Sequence, residues 1–170
     1  MTTSKVKMSI VCAIYPNANG YGFVFMENTE DGRKLIEYGS VRINPICNIK
    51  ILERIKKSLD YFSPTIVILL DPDGKSSRVG TRTKKLIKNI IAYAESEKLP
   101  MFQYSRDQIR DVFEMCGVVT KYEISKRLLT EFTELEPKRP RERKLWTSED
   151  RNMAIFDALS LALTWFYLND

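Results

Sequence analysis

Apolar positions run or alternate through residues 6–15 and 20–27, with β-branched side chains prominent, and this pattern predicts two strands. The first ends on Tyr15, followed by Pro16 and Asn17. A Gly20-Tyr21-Gly22 turn leads into the second. Glu30-Asp31-Gly32 predicts another turn and residues 33–44 a third strand, closed by Pro45. Three consecutive strands on short turns form an antiparallel meander.

The period then changes. Ile51, Leu52, Ile55, Leu59 and Phe62 recur at helical spacing within residues 47–62. Thr65 to Leu70 (TIVILL) is a short apolar run ending at Asp71, the pattern of a central strand covered on both faces. Residues 84–98 predict a helix with Leu86, Ile87, Ile90, Ile91 and Ala94 on one side and Lys84, Lys85 and Lys88 towards another. Met101 to Tyr104 is a brief strand. Ser105 with Gln108, and Thr120 with Glu123, have capping-box spacing, and Gly117 stops the first of these two helices. Residues 135–147, centred on PKRPRERKLW, form a basic loop. Thr147 with Asp150 predicts the cap of a last helix reaching about Leu168.

The order is β-β-β-α-β-α-β-α-α-α. It implies an α/β fold, a mixed sheet with three antiparallel strands and then parallel ones, and helices on its faces. Residues 1–170 read as one domain without internal repeats. In this plan the ends of the first and fourth strands lie side by side.

Composition narrows the chemistry. There is no histidine, so Ser-His and Cys-His dyads and His-ligated zinc are excluded. Hydrolysis would rest on carboxylates with a hard divalent cation. Cys12, Cys47 and Cys116 are odd in number and widely spaced, which argues against a disulfide framework and for a reducing, cytoplasmic location. No apolar run has membrane-spanning length, and the polar Met1–Lys7 stretch does not read as a secretion signal. A net charge of +5 and a pI near 9.1 favour a polyanionic partner.

Four segments in this order resemble the RuvC family of Holliday-junction resolvases, of the ribonuclease H-like superfamily. They are AIYPNANGYGFV, PTIVILLD, LPMFQYSRDQIRDVFEMCGVVTKYEISKRL and FDALSLALTW. The resemblance implies a ribonuclease H-like fold and endonucleolytic cleavage of branched DNA. It also implies two Mg²⁺ (or Mn²⁺) ions held by four side chains and a homodimer that makes two symmetric cuts.

Carried over by position, the family's first aspartate falls on Tyr15, and a neutral phenol is a poor ligand for a hard cation. The second carboxylate falls on Leu70 or, one residue on, Asp71, which equally fits an Asp-Pro-Asp-Gly turn. The last aspartate falls on Asp157, inside MAIFDALSLALTWFYL, a helix apolar nearly all round. A carboxylate there needs a cation, an arginine or lysine, or a neutral state. The fourth slot falls on Ala154. Asp150, on the predicted helix about 20° and roughly 10 Å from Asp157, is the replacement candidate, ahead of Glu149; both also suit a helix N-terminus. Asp71, Asp157 and Asp150 are thus the candidate catalytic and metal-holding residues. With Tyr15 in the first slot, cleavage is expected to be weak or lost.

Two basic runs flank these positions. Lys75, Arg78, Arg82, Lys84, Lys85 and Lys88 fall in 14 residues without an acid. Lys138, Arg139, Arg141, Arg143 and Lys144 surround a single Glu142. Lys121 matches a family lysine, and Trp146 either stacks on a base or anchors the loop. Lys84, Lys85, Lys121, Arg139 and Arg141 are the candidate phosphate contacts. Three functions fit: a metal-dependent endonuclease for branched DNA, a non-catalytic DNA-binding relative, and a protein-interaction module.

Overall fold

The computed structural model describes residues 9–74 and 78–169. Residues 6–8 of the first predicted strand and Lys75 of the first basic run lie outside them. Ser9–Asn17 (β1), Gly20–Thr29 (β2) and Gly32–Arg42 (β3) form the meander. Then come Asn48–Phe62 (α1), Ile66–Leu70 (β4), Thr81–Ser96 (α2), Met101–Tyr104 (β5), Arg106–Glu114 (α3), Lys121–Glu131 (α4) and Met153–Asn169 (α5). The order is the predicted one, with an added 3-10 turn at Thr133–Lys138 that takes the start of the expected basic loop.

The five strands form one sheet in the order β3-β2-β1-β4-β5. β1 is antiparallel to β2 and parallel to β4, and β4 is parallel to β5. This is the mixed arrangement of the ribonuclease H-like fold. Strand alternation sorts the core into two layers. Cys12, Ile14, Val67 and Leu69 pack with α1 and α2 through Ile51, Ile55, Leu86 and Ile90. Val11, Ala13, Tyr15, Ile68 and Leu70 pack on the other face with Ile109, Ile124, Leu128 and the length of α5. Because α5 lies between the sheet on one side and α3 and α4 on the other, it buries residues around its whole circumference. That explains its apolar sequence. No helix among the described residues is long and apolar enough to cross a membrane.

One close approach fixes where α5 sits. Gly22 is the register partner of Tyr15 across β1 and β2. A Cβ added at Gly22 would lie 1.9 Å from the Ala154 carbonyl oxygen and 2.9 Å from the Ala154 Cβ. Only a residue without a side chain lets the start of α5 come down on the sheet here.

The helix caps follow the sequence in part. Ser105 and Gln108 make the full reciprocal capping box. Thr120 accepts the Glu123 N–H, but its hydroxyl donates to Glu123 Oε1, so the second box is only half closed. Gly117, at φ 78°, provides the left-handed step after α3. The expected Thr147/Asp150 cap is not formed. α5 begins at Met153, after a tight turn closed by Met153 N–H to the Asp150 carbonyl, and Thr147 Oγ1 instead bonds to Lys144. Asp150 and Glu149 therefore precede the helix, and the helical spacing inferred between Asp150 and Asp157 does not apply.

Candidate nucleic-acid interface

Parallel pairing of Ile14 with Leu69 sets Tyr15 and Leu70 at neighbouring strand ends, as the sequence implied. By alternation both face α5. Asp71 follows one residue later, where its N–H donates to the Tyr104 carbonyl and its Oδ1 accepts the Asp73 N–H at 3.0 Å. That bond is the Asx turn of the Asp-Pro-Asp-Gly sequence. The position beside Tyr15 on the α5 face thus belongs to Leu70, 3% exposed.

Asp157 reaches this region from α5 with its side chain almost fully buried, and it is paired on both oxygens. Lys121, the first residue of α4, places Nζ 3.1 Å from Oδ2. Arg106, the first residue of α3, places Nη1 3.7 Å from Oδ1. The caps explain this convergence: Ser105 and Thr120 end their loops as N-caps and set the following cations on the first turns of two helices packed against α5. Lys121 Nζ also lies 3.6 Å from Glu149 Oε1 and 5.5 Å from the centre of the Tyr15 ring, a cation–π distance.

The electrostatics are those of a closed cluster. Burial raises the Tyr15 pKa and the Asp157 charge adds to it, outweighing Lys121 and Arg106; the phenol stays neutral. For Lys121, burial works against the charge, but the carboxylates of Asp157 and Glu149 outweigh it and hold the ammonium pKa above its ordinary value. Lys121 and Arg106 match the charges of Asp157 and Glu149 one for one.

These surroundings do not fit the two divalent cations implied by the fold family. Of the four ligand slots, one holds a buried phenol, one Leu70, one Ala154, and the fourth an aspartate already bound by an ammonium and a guanidinium. Asp150, the replacement candidate, accepts the N–H groups of Arg141 at 3.0 Å and Asn152 at 2.9 Å, with Arg141 Nε 3.5 Å away. Those bonds, with the Arg141 charge, outweigh burial and hold its pKa below the usual carboxylate value. Among the described residues no three Cys, Asp or Glu side chains gather into a group able to hold a metal ion.

What the strand ends do build is a cleft of about 640 Å³. Tyr15, Asn17 and Leu70 form part of its wall, and the start of α2 forms another. Among the described residues, Arg78, Arg82, Arg106, Lys121 and Arg143 line it, against Asp71 and Glu149. Arg82 is held in place: its guanidinium donates to the Asn17 carbonyl at 2.8 Å, Asn48 Oδ1 at 2.6 Å and Thr83 Oγ1 at 3.0 Å. It ties β1, α1 and α2 together at the mouth of the cleft.

Of the five cations expected to contact phosphate, only Lys121 lines the cleft. Lys84 and Lys85 are exposed on α2. Arg139 pairs with Glu136 on its own turn, and Arg141 is 92% exposed beside Asp150. Arg82 and Arg143 belong to the basic runs, although the runs do not mark them out from their neighbours. Arg106 lies outside both runs. Its only sequence signal is its place directly after a capping serine at the end of β5.

No family model matches the sequence, and no curated protein matches it. Solved structures do. RuvC of Thermus thermophilus superposes with a TM-score of 0.66 at 18% identity, over 94% of this chain and 95% of that one. The yeast mitochondrial Holliday junction resolvase, Ydc2, gives 0.63 at 11% identity, over 93% and 78%. A fowlpox virus resolvase in complex with Holliday junction DNA gives 0.53 at 16%, over 94% and 99%. The fold is therefore ribonuclease H-like, in the form seen in RuvC-like resolvases.

Proposed function

We propose that this chain binds branched DNA through the cleft at the ends of β1 and β4 and does not cut it by a two-metal route. The observation that carries this reading is a cleft lined by Arg78, Arg82 and Arg143 against Asp71, beside the charge-matched Arg106 and Lys121, located where the resolvase fold brings its strand ends together. Cations at that density neutralise phosphates and release counterions. The solved neighbours include a RuvC in complex with a Holliday junction substrate, which supports a four-way junction as the first DNA to try.

The competing reading is a Mg²⁺- or Mn²⁺-dependent endonuclease working through Asp71, Asp157 and Asp150. It retains Asp71 in the cleft, but Asp157 and Asp150 are committed to cations and backbone N–H groups. Fluorescence anisotropy with a labelled four-way junction, across a salt series and with each metal, decides between them. Binding that weakens steeply with salt, without product on a denaturing gel, is expected. Efficient metal-dependent cleavage would overturn the non-catalytic reading, and affinity indifferent to salt would remove the role of the cleft.

A further inference from the structure

The loop between the 3-10 turn and α5 carries two large apolar side chains that nothing among the described residues covers. Leu145 is fully exposed and Trp146 is 80% exposed, so Trp146 does not anchor the loop to the core. The two residues occupy the tip of a turn. The Lys144 N–H donates to Thr147 Oγ1 at 2.9 Å and the Thr147 N–H to the Lys144 carbonyl at 3.1 Å. Arg143 Nε adds a bond to the Thr147 carbonyl at 3.1 Å. Below the turn, Asp150 clamps the stem through Arg141 and Asn152, and Arg151 donates to the Ser40 carbonyl on β3 at 3.1 Å. Asp150 is thus the clamp of a loop that presents an indole and an isobutyl group to solvent.

Their neighbours say what kind of surface they meet. Trp146 lines a pocket with Arg42, Arg141, Lys144 and Arg151 against Glu142, Glu149 and Asp150. Of these acids, Asp150 is taken by Arg141 and Glu149 by Lys121, and Lys144 Nζ lies 5.8 Å from the Trp146 ring centre. Arg143 also lines the phosphate cleft, so tip and cleft belong to one continuous surface. An aromatic ring amid cations gains little from a stacked duplex, whose base faces are already covered. It gains most from a base whose face is open, and an apolar residue beside it can wedge into a loosened step.

We infer that Leu145 and Trp146 form a base-stacking wedge that reads open bases at a DNA branch point. The cleft holds the phosphates, and the wedge supplies the preference for branched over linear DNA. This rests on the DNA-binding reading above.

The test compares the parent with Trp146→Ala and Trp146→Phe on a four-way junction and on a linear duplex of equal length. The junction carries 2-aminopurine at its centre. The parent should change 2-aminopurine emission on binding. Trp146→Ala should lose that change and about tenfold to a hundredfold in junction affinity, the worth of one stacked base. Its duplex affinity and salt dependence should stay at the parent's values, and Trp146→Phe should recover most of the loss. Because Trp146 is 80% exposed and outside the core, all three should melt together. Equal loss on junction and duplex, or an unchanged junction preference in Trp146→Ala, would overturn the wedge while leaving the cleft reading intact. Failure of the parent to bind either DNA would overturn both.

Discussion

Two groups of cations differ more in placement than in number. Lys84, Lys85 and Lys88 crowd three positions of α2, all exposed. Lys121 and Arg106 come from separate helices and meet on one buried carboxylate. The first group is dense in sequence and diffuse in space, and each ammonium keeps its water. The second is sparse in sequence and convergent in space, because two N-caps and one all-apolar helix bring it together. Charge density along a chain reports solvation and long-range attraction. Convergence on a desolvated partner reports architecture.

The strongest test of that contrast is removal of the shared carboxylate. Asp157→Ala leaves Arg106 and Lys121 facing a vacated buried position, a change that costs about 3–5 kcal/mol for a broken buried pair. The lower end is expected, since the Lys121 side chain is 33% exposed and retains Glu149. Urea denaturation gives the figure, with Lys85→Ala as the exposed control, expected within about 0.5 kcal/mol of the parent. Similar destabilisation in both would erase the distinction between the groups.

Metal binding sharpens it further. The parent's melting temperature should not respond to Mg²⁺ or Mn²⁺, because Asp157 already holds two cations. In the double variant Tyr15→Asp, Lys121→Ala the carboxylates replace the ammonium's cage. A metal then present at ~10–100 times its dissociation constant should stabilise by about 1.4–2.7 kcal/mol. A metal-dependent shift in the parent would show that Lys121 is displaced easily and return the endonuclease reading to the front.

DNA binding separates the groups more gently. Removing a cleft cation that touches phosphate, through Arg78→Ala or Arg143→Ala, should lower the slope of log affinity against log salt by about 0.9 for each phosphate no longer neutralised. Lys84→Ala and Lys85→Ala should lower it less, acting by long-range attraction alone. A reversed ranking would move the interface from the cleft to the outer face of α2.

The smallest effect expected is with pH. Tyr15 and Lys121 both have folded pKa values raised above their ordinary ones. Each therefore contributes stability that is complete below the unfolded pKa and is lost as pH rises through the folded one. Stability should stay level through neutral pH and decline above about pH 10. Tyr15→Phe should shallow that decline, which denaturation midpoints at about pH 9 and pH 11, on either side of the ordinary phenol value, would register.

Much of the fold was legible because its signals are local. Period-2 runs, the TIVILL strand and the Ser105 box each depend on a few adjacent residues, and the order they imply is the one observed. The start of α5 was misjudged because Thr147 and Asp150 have cap spacing, yet each side chain finds a loop partner instead. The site was legible in half. An aspartate within an apolar helix announces that it needs a cation, and a lysine or arginine is one of the answers the sequence allows. Which ones could not be read: Arg106 and Lys121 are far from Asp157 in sequence, and only packing of α3 and α4 on α5 joins them. The metal expectation came from matched positions, and positions carry no information about which cations pack around a carboxylate.

The close approach of Gly22 to Ala154 has a consequence for any attempt to build a four-ligand metal centre on this scaffold. An acid at position 154 would need room where its own Cβ already abuts β2, so gaining the ligand means lifting the helix that carries Asp157. Changing Tyr15 to an acid and releasing Lys121 are single substitutions that can be made in either order. The step at 154 is different: it costs stability unless the sheet beneath has first moved, which makes the path to a four-ligand centre a ratchet rather than a slope.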